Sequence, residues 1–112
     1  MKTTQRGRAA ESLVAAWLED RGYKILTKNW RARTCEIDIV ATKGGVAYLV
    51  EVKYRGSAAQ GEGLSYITPA KLRQMRRAAQ VWAQFESWDG DCRLMAASVD
   101  GRDGKIQTIG ID

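Results

Sequence analysis

A chain of 112 residues, 45% of them hydrophobic, suits one globular domain spanning 1–112 and leaves no room for a second. Its net charge of +5 and pI of about 9.5 favour polyanionic partners, nucleic acid first and acidic membrane second. Two cysteines and no histidine exclude the usual structural zinc sites and any serine or cysteine catalysis with a histidine base.

The segment Met1 to Gly7 is polar and lacks the apolar core of a signal peptide. No apolar run approaches the ~20 residues of a membrane span. A cytoplasmic protein is expected, with Cys35 and Cys92 as free, buried thiols.

The first periodic segment runs from about Arg8 to Arg21. Ala10, Leu13, Val14, Trp17 and Leu18 recur at helical spacing as one apolar stripe, and Gly22 ends the helix. Glu11 falls about 90° from the centre of that stripe, at the edge of the buried face. Tyr23 to Leu26 predicts a short strand, and Lys28 to Arg33 a basic connector containing Trp30. Glu36–Thr42 and Val46–Arg55 are rich in Ile, Val and Tyr and predict two strands. Gly44-Gly45 between them predicts a type I′ hairpin turn, which needs positive φ at both central residues.

Gly56 to Gly63 is small, polar and glycine-rich, the composition of a mobile loop. Thr68-Pro69 then opens a second helix, with Thr as N-cap and Pro at the first helical position. Leu72, Met75, Ala79 and Trp82 mark its buried face, while Lys71, Arg73, Arg76 and Arg77 make the other faces basic. Trp88 to Asp91 reads as a turn. Arg93–Val99 and Ile106–Ile111 read as the last strands, joined by a turn at Gly101 to Gly104. The order α-β-β-β-α-β-β, with a strand–helix–strand crossover, implies an α/β sandwich around a central mixed sheet.

A two-residue Gly44-Gly45 loop sets Lys43 against Val46. Asp38 then falls opposite Glu51, and Glu36 opposite Lys53, all four on one face. Opposed Cβ atoms lie about 4.5–5.5 Å apart, so two carboxylates there repel. A bound cation reverses that sign, because it needs oxygen ligands from more than one side chain. An ordinary polar hairpin face would also set Glu36 and Asp38 opposite to Ile37 and Ile39. It accounts less well for the like-charge pair, and for Leu49 on the face of Glu51 and Lys53.

These residues resemble a known signature. Asp38 followed by Glu51-Val52-Lys53 is similar to the D…E-x-K core of the PD-(D/E)XK nuclease superfamily, which includes restriction endonucleases and Holliday junction resolvases. The chain more closely resembles the YraN-like family of bacterial proteins. That resemblance rests on Ala10-Glu11, Gly22-Tyr23-Lys24-Ile25-Leu26-Thr27-Lys28-Asn29, Glu36-Ile37-Asp38-Ile39, Val50-Glu51-Val52-Lys53-Tyr54-Arg55 and Lys71. It covers about Gly7 to Trp82. Two positions depart from the family pattern: Cys35 stands where Gly is usual, and Met95 where an acidic residue is usual.

The resemblance implies a restriction endonuclease-like fold and hydrolysis of DNA phosphodiesters with Mg²⁺ or Mn²⁺. Asp38 and Glu51 would hold the metal, with a backbone carbonyl such as that of Val52 and water completing the shell. Lys53 would orient the attacking water or stabilise transition-state charge. Without the resemblance, a plain ion pair of Lys53 with Glu36 or Glu51 is the simpler reading. Glu11 would reach the site directly or through water, and Glu36 would hold Lys53 in place. Arg31, Arg33, Arg55 and Lys71 are candidates for phosphate contacts. Trp30 would stack on a base or support the connector. No residue points to base-sequence reading, so branched DNA is as good a target as a sequence. Cutting both strands would need a homodimer of so small a chain. Two other functions fit the same residues: a nucleic-acid-binding protein without turnover, and a protein-interaction module.

Overall fold

The computed structural model describes residues 5–56 and 67–111. Helix α1 (Gln5–Asp20) leads into strands β1 (Lys24–Arg31), β2 (Glu36–Lys43) and β3 (Val46–Arg55). Helix α2 (Pro69–Phe85) and strands β4 (Cys92–Asp100) and β5 (Ile106–Gly110) follow. The strands form one five-stranded sheet in the order β1-β2-β3-β4-β5. β3 and β4, on either side of α2, run parallel, and every other neighbouring pair is antiparallel. This is the α/β sandwich with a mixed sheet, in the expected α-β-β-β-α-β-β order. The glycine-rich stretch expected as a loop lies, after Gly56, outside the described residues.

The hairpin follows from its two glycines. Gly44 and Gly45 take φ of 60° and 80°, the turn that matches the right-handed twist of the flanking strands. Lys43 pairs with Val46, as the loop length demands. Alternation along β3 then sends Tyr48 and Val50 to the α1 side and Ala47 and Leu49 to the α2 side. One core joins Val14 and Leu18 of α1 to Ile39, Val50, Met95 and Val99. The other joins Met75, Ala79 and Trp82 of α2 to Val40, Leu49 and Leu94. Thr68 caps α2 through its side-chain oxygen, which accepts from the Lys71 N–H at 3.0 Å.

Three expectations need correction. β1 is longer than Tyr23–Leu26 and takes in Lys28 to Arg31 of the expected connector. It is an edge strand, and the charged residues that blur a strand pattern are those that edges tolerate. In α1 the buried residues are Ala10, Glu11, Val14, Ala15 and Leu18, whereas Leu13 is 48% exposed. The buried stripe is therefore centred nearer Glu11 than the apolar residues suggest, and Glu11 lies within it. Cys35 and Cys92 are free, but Cys92 is exposed at the start of β4 and Cys35 is half-buried. Met95 is buried beside Val50 under α1, so the family's acidic position is an apolar packing site in this chain.

Trp82 is 2% exposed and is among the largest fully buried side chains. Trp82→Ala should lower unfolding stability by about 3–5 kcal/mol through lost transfer energy and the cavity left behind. Chemical denaturation would read this as a lower midpoint, and an unchanged midpoint would place the centre of the α2-side core elsewhere.

Candidate functional site

Asp38 sits where β2 and β3 part. Their ladder runs from Lys43–Val46 to Ile39–Val50 and ends there. β3 continues alongside β4 as far as Arg55–Asp100. Beyond the fork, the Val52 N–H donates to Asp38 Oδ2 at 2.8 Å in place of a β2 carbonyl. Strict alternation fails at the same point. Ile37 packs in the α2-side core and Ile39 in the α1-side core, although they are two residues apart. Across the sheet, Asn29 adopts a positive φ of 56° between the pairs Lys28–Ile39 and Trp30–Ile37. The backbone is thus irregular on both strands at Asp38, although the β1–β2 register holds across Asn29 and shifts only between Ile25 and Thr27.

The expected cross-strand pairs Asp38–Glu51 and Glu36–Lys53 are therefore not ladder pairs, because the strands separate first. The fork still brings carboxylates together. Burial pushes the Asp38 carboxyl up to about 7, and the charges of Glu51 and Glu11 push the same way. The Val52 hydrogen bond and the Lys71 charge oppose them. Glu11 reaches this point from the buried face of α1. Glu51, on the α2 side of β3, meets Lys71 Nζ with its Oε2 at 2.8 Å.

Lys53 is exposed on β3, two residues from Glu51 and so on the same strand face. Glu36 does not hold it. Its carboxylate lies 3.9 Å from Arg31 Nε with both side chains mostly exposed, a contact worth little in water.

A cleft of about 530 Å³ opens between the β1–β2 turn and α2, with Glu51 on its wall. Arg31, Arg33 and Lys71, the candidates for phosphate contacts, line it. The turn that presents Arg33 is closed by the Ala32 N–H donating to the Cys35 carbonyl at 2.9 Å. Arg55 is not on the wall. It ends β3 opposite Asp100, whose carboxyl is held low mainly by hydrogen bonds from Arg102, with a smaller contribution from Arg55. Gln74 and Arg77 line the cleft as well, and Arg77 Nη2 donates to Thr34 Oγ1 at 3.2 Å. Arg77 was expected as general basic surface. The signal that finds it is its spacing from Lys71 and Gln74 along one helix, three residues at each step.

Among the described residues, no three His, Cys, Asp or Glu side chains converge as a ready-made cage. Asp38 and Glu51 are two hard oxygen donors that feel each other's charge, Glu51 acting on Asp38 more strongly than Glu11 does. Mg²⁺ is commonly held by one or two carboxylates with several waters, so this donor set fits it.

The raised Asp38 pKa makes the metal-free fold sensitive to pH. Its folded value of about 7 exceeds its ordinary value of 3.8. The folded chain thus holds the extra proton between these values, and its stability falls as pH rises through about 7. Asp38→Asn removes that term. With a chelator present, the melting temperature of wild type relative to Asp38→Asn should drop from about pH 4 to pH 8. Parallel curves across the range would refute the assignment.

Residues 10–102 match the family described as "Uncharacterised protein family UPF0102". A UPF0102 protein of Chlorobium chlorochromatii is 41% identical over 98 residues, covering 88% of this chain and 76% of its own. One from Chlorobium limicola is 37% identical over 110 residues, covering 95% and 85%. A third, from Klebsiella pneumoniae, is 35% identical over 104 residues, covering 88% and 80%. The match takes in Glu11, Asp38, Glu51, Lys53 and the whole cleft, so the chain is a member of UPF0102, the YraN-like family, with the α/β sandwich expected of that resemblance.

Proposed function

We propose that this protein is a metal-dependent nuclease that hydrolyses DNA phosphodiesters, with branched DNA among its targets. The observation that carries the reading is the Asp38 carboxylate. It is propped at a strand fork by a backbone N–H and raised to about 7 by burial and by Glu51 and Glu11. A fold that concentrates negative charge on one half-buried carboxylate is suited to a cation. Asp38 and Glu51 would hold Mg²⁺ or Mn²⁺. Bound there, the ion would polarise a phosphate and acidify a water molecule. Lys53, exposed on the Glu51 face, is free of burial and can swing to the attacking water or to developing phosphate charge. Glu11 adds negative charge from α1, and Arg31, Arg33 and Lys71 draw the phosphate backbone into the cleft. Two copies acting together would cut both strands.

One observation favours a second reading, a DNA-binding protein without turnover. Lys71 already places a cation 2.8 Å from Glu51. A resident ammonium relieves the carboxylate repulsion without a metal.

Metal binding separates the two. Mn²⁺ should raise the melting temperature of wild type, since a ligand stabilises the state that binds it, and Asp38→Ala should abolish the rise. A rise that survives in Asp38→Ala places the ion elsewhere, and no rise in wild type favours Lys71 as the built-in cation.

Cleavage is the direct test, with branched, single-stranded and duplex DNA and either Mg²⁺ or Mn²⁺. Lys53→Ala should slow cleavage about 10²–10³-fold, the typical loss of one electrostatic contact to the transition state. Its DNA affinity should change little. If wild type binds all three substrates and cuts none, the binding-protein reading stands.

A further inference from the structure

The face of α2 that lines the cleft continues past it. Lys71, Gln74, Arg77, Val81 and Phe85 recur at steps of three or four residues and none of them is fully buried, so they share one accessible stripe of the helix. The stripe is about 21 Å long. At its far end Phe85 is 69% exposed. The ring is not loose. It stands edge-on to Trp30, with centroids 5.8 Å apart and planes at 75°. Trp30 is half-buried against the α2-side core. One side of the phenyl ring is thus braced and the rest is bare to solvent. Between Phe85 and Glu51 the path is mainly cationic, with Arg77 beside the β1–β2 turn and Arg31 and Arg33 presented from that turn's side, where Glu36 lies 3.9 Å from Arg31.

We infer that the stripe from Lys71 through Arg77 to Phe85 binds a single-stranded segment of nucleic acid, its phosphates in the cleft and a base stacked on Phe85. Bases inside a duplex are already stacked on both faces and offer only edges and backbone. An exposed aromatic ring can take a base only if that base is unpaired. A basic groove that tracks the backbone, together with a stacking ring, is how proteins hold single strands irrespective of sequence. The cleft is within the ~300–1,000 Å³ range that encloses a small ligand, which suits nucleotide units taken singly. A second copy of the chain is the other candidate for the bare ring. Two-fold pairing through this patch would set the same surface against itself, arginine against arginine. The charge therefore favours a polyanion.

The inference names the substrate class of the proposed nuclease and rests on that reading only for what happens at the Glu51 end. It is tested by binding without divalent metal. Fluorescence anisotropy would compare a labelled single strand with its duplex, with chelator present. Wild type should prefer the single strand. Phe85→Ala should weaken single-strand binding about 5- to 100-fold, the loss typical of one stacked base, while Phe85→Trp restores it. Duplex binding should change less than about two-fold, since backbone contacts dominate there. Arg77→Gln should reduce the salt slope on the single strand by about 0.7, one phosphate's worth. Equal affinity of wild type for both forms, or equal losses on both in Phe85→Ala, overturns the inference. So does a dimer in sedimentation that Phe85→Ala dissociates while single-strand binding is unchanged. A protein that binds single strands through Phe85 yet cuts nothing with Mg²⁺ or Mn²⁺ refutes the nuclease reading and leaves this one standing.

Discussion

The hydrogen bond from the Val52 N–H to Asp38 is the contact on which the candidate site depends. An antiparallel ladder that stops in mid-sheet leaves backbone donors facing a gap, and an unmet buried N–H costs roughly 1–3 kcal/mol. Here a side-chain carboxylate fills the gap. The substitution solves the backbone problem and creates an electrostatic one, because an acceptor carboxylate has been drawn into a half-buried place beside Glu51 and Glu11. One favourable hydrogen bond does not offset the burial, and the Asp38 carboxyl ends near 7. The fork and the perturbed carboxyl are consequences of one geometric fault in the sheet.

The sheet supplies the fault from both sides. β3 is fully paired to β4 from Ala47–Cys92 to Arg55–Asp100, so it stays straight where β2 leaves it. On its other side β2 stays paired with β1 past this point, and Asn29 takes a left-handed conformation opposite Asp38. Asn tolerates that conformation better than most residues with a side chain. The two helices then complete the site from opposite layers, α1 bringing Glu11 and α2 bringing Lys71. Of the residues gathered there, Glu51 and Lys71 line the cleft beside α2.

Charge is distributed to match. The carboxylates gather at the fork, and the cations ring the cleft that leads to it. Lys71 belongs to both sets, pairing with Glu51 while lining the cleft. It neutralises Glu51 at 2.8 Å while standing on the cleft wall. Arg31 and Glu36 face each other at the rim with their side chains in water, so that pair constrains neither residue.

Much of this was legible in the amino acids alone. Gly44-Gly45 fixed the hairpin register, because only glycine adopts two successive positive φ values freely, and alternation then placed Leu49, Val50 and Glu51 on their proper sides. Thr68-Pro69 set the start of α2 by local chemistry. Asp38, Glu51, Lys53 and Glu11 stood out by type and spacing. Tertiary structure decided what local pattern could not carry. The length of an edge strand depends on its partner, which is why β1 ran on into a basic stretch that looked like a connector. The burial of Glu11 depends on which side of α1 the sheet approaches, and that side was turned away from Leu13. The ladder ends at Ile39–Val50 while β3 stays paired with β4 and β2 with β1, long-range pairings that no hairpin rule contains. Sequence could therefore name the carboxylates and the hairpin beside them, but only the packed sheet could separate its strands and set Asp38 between them.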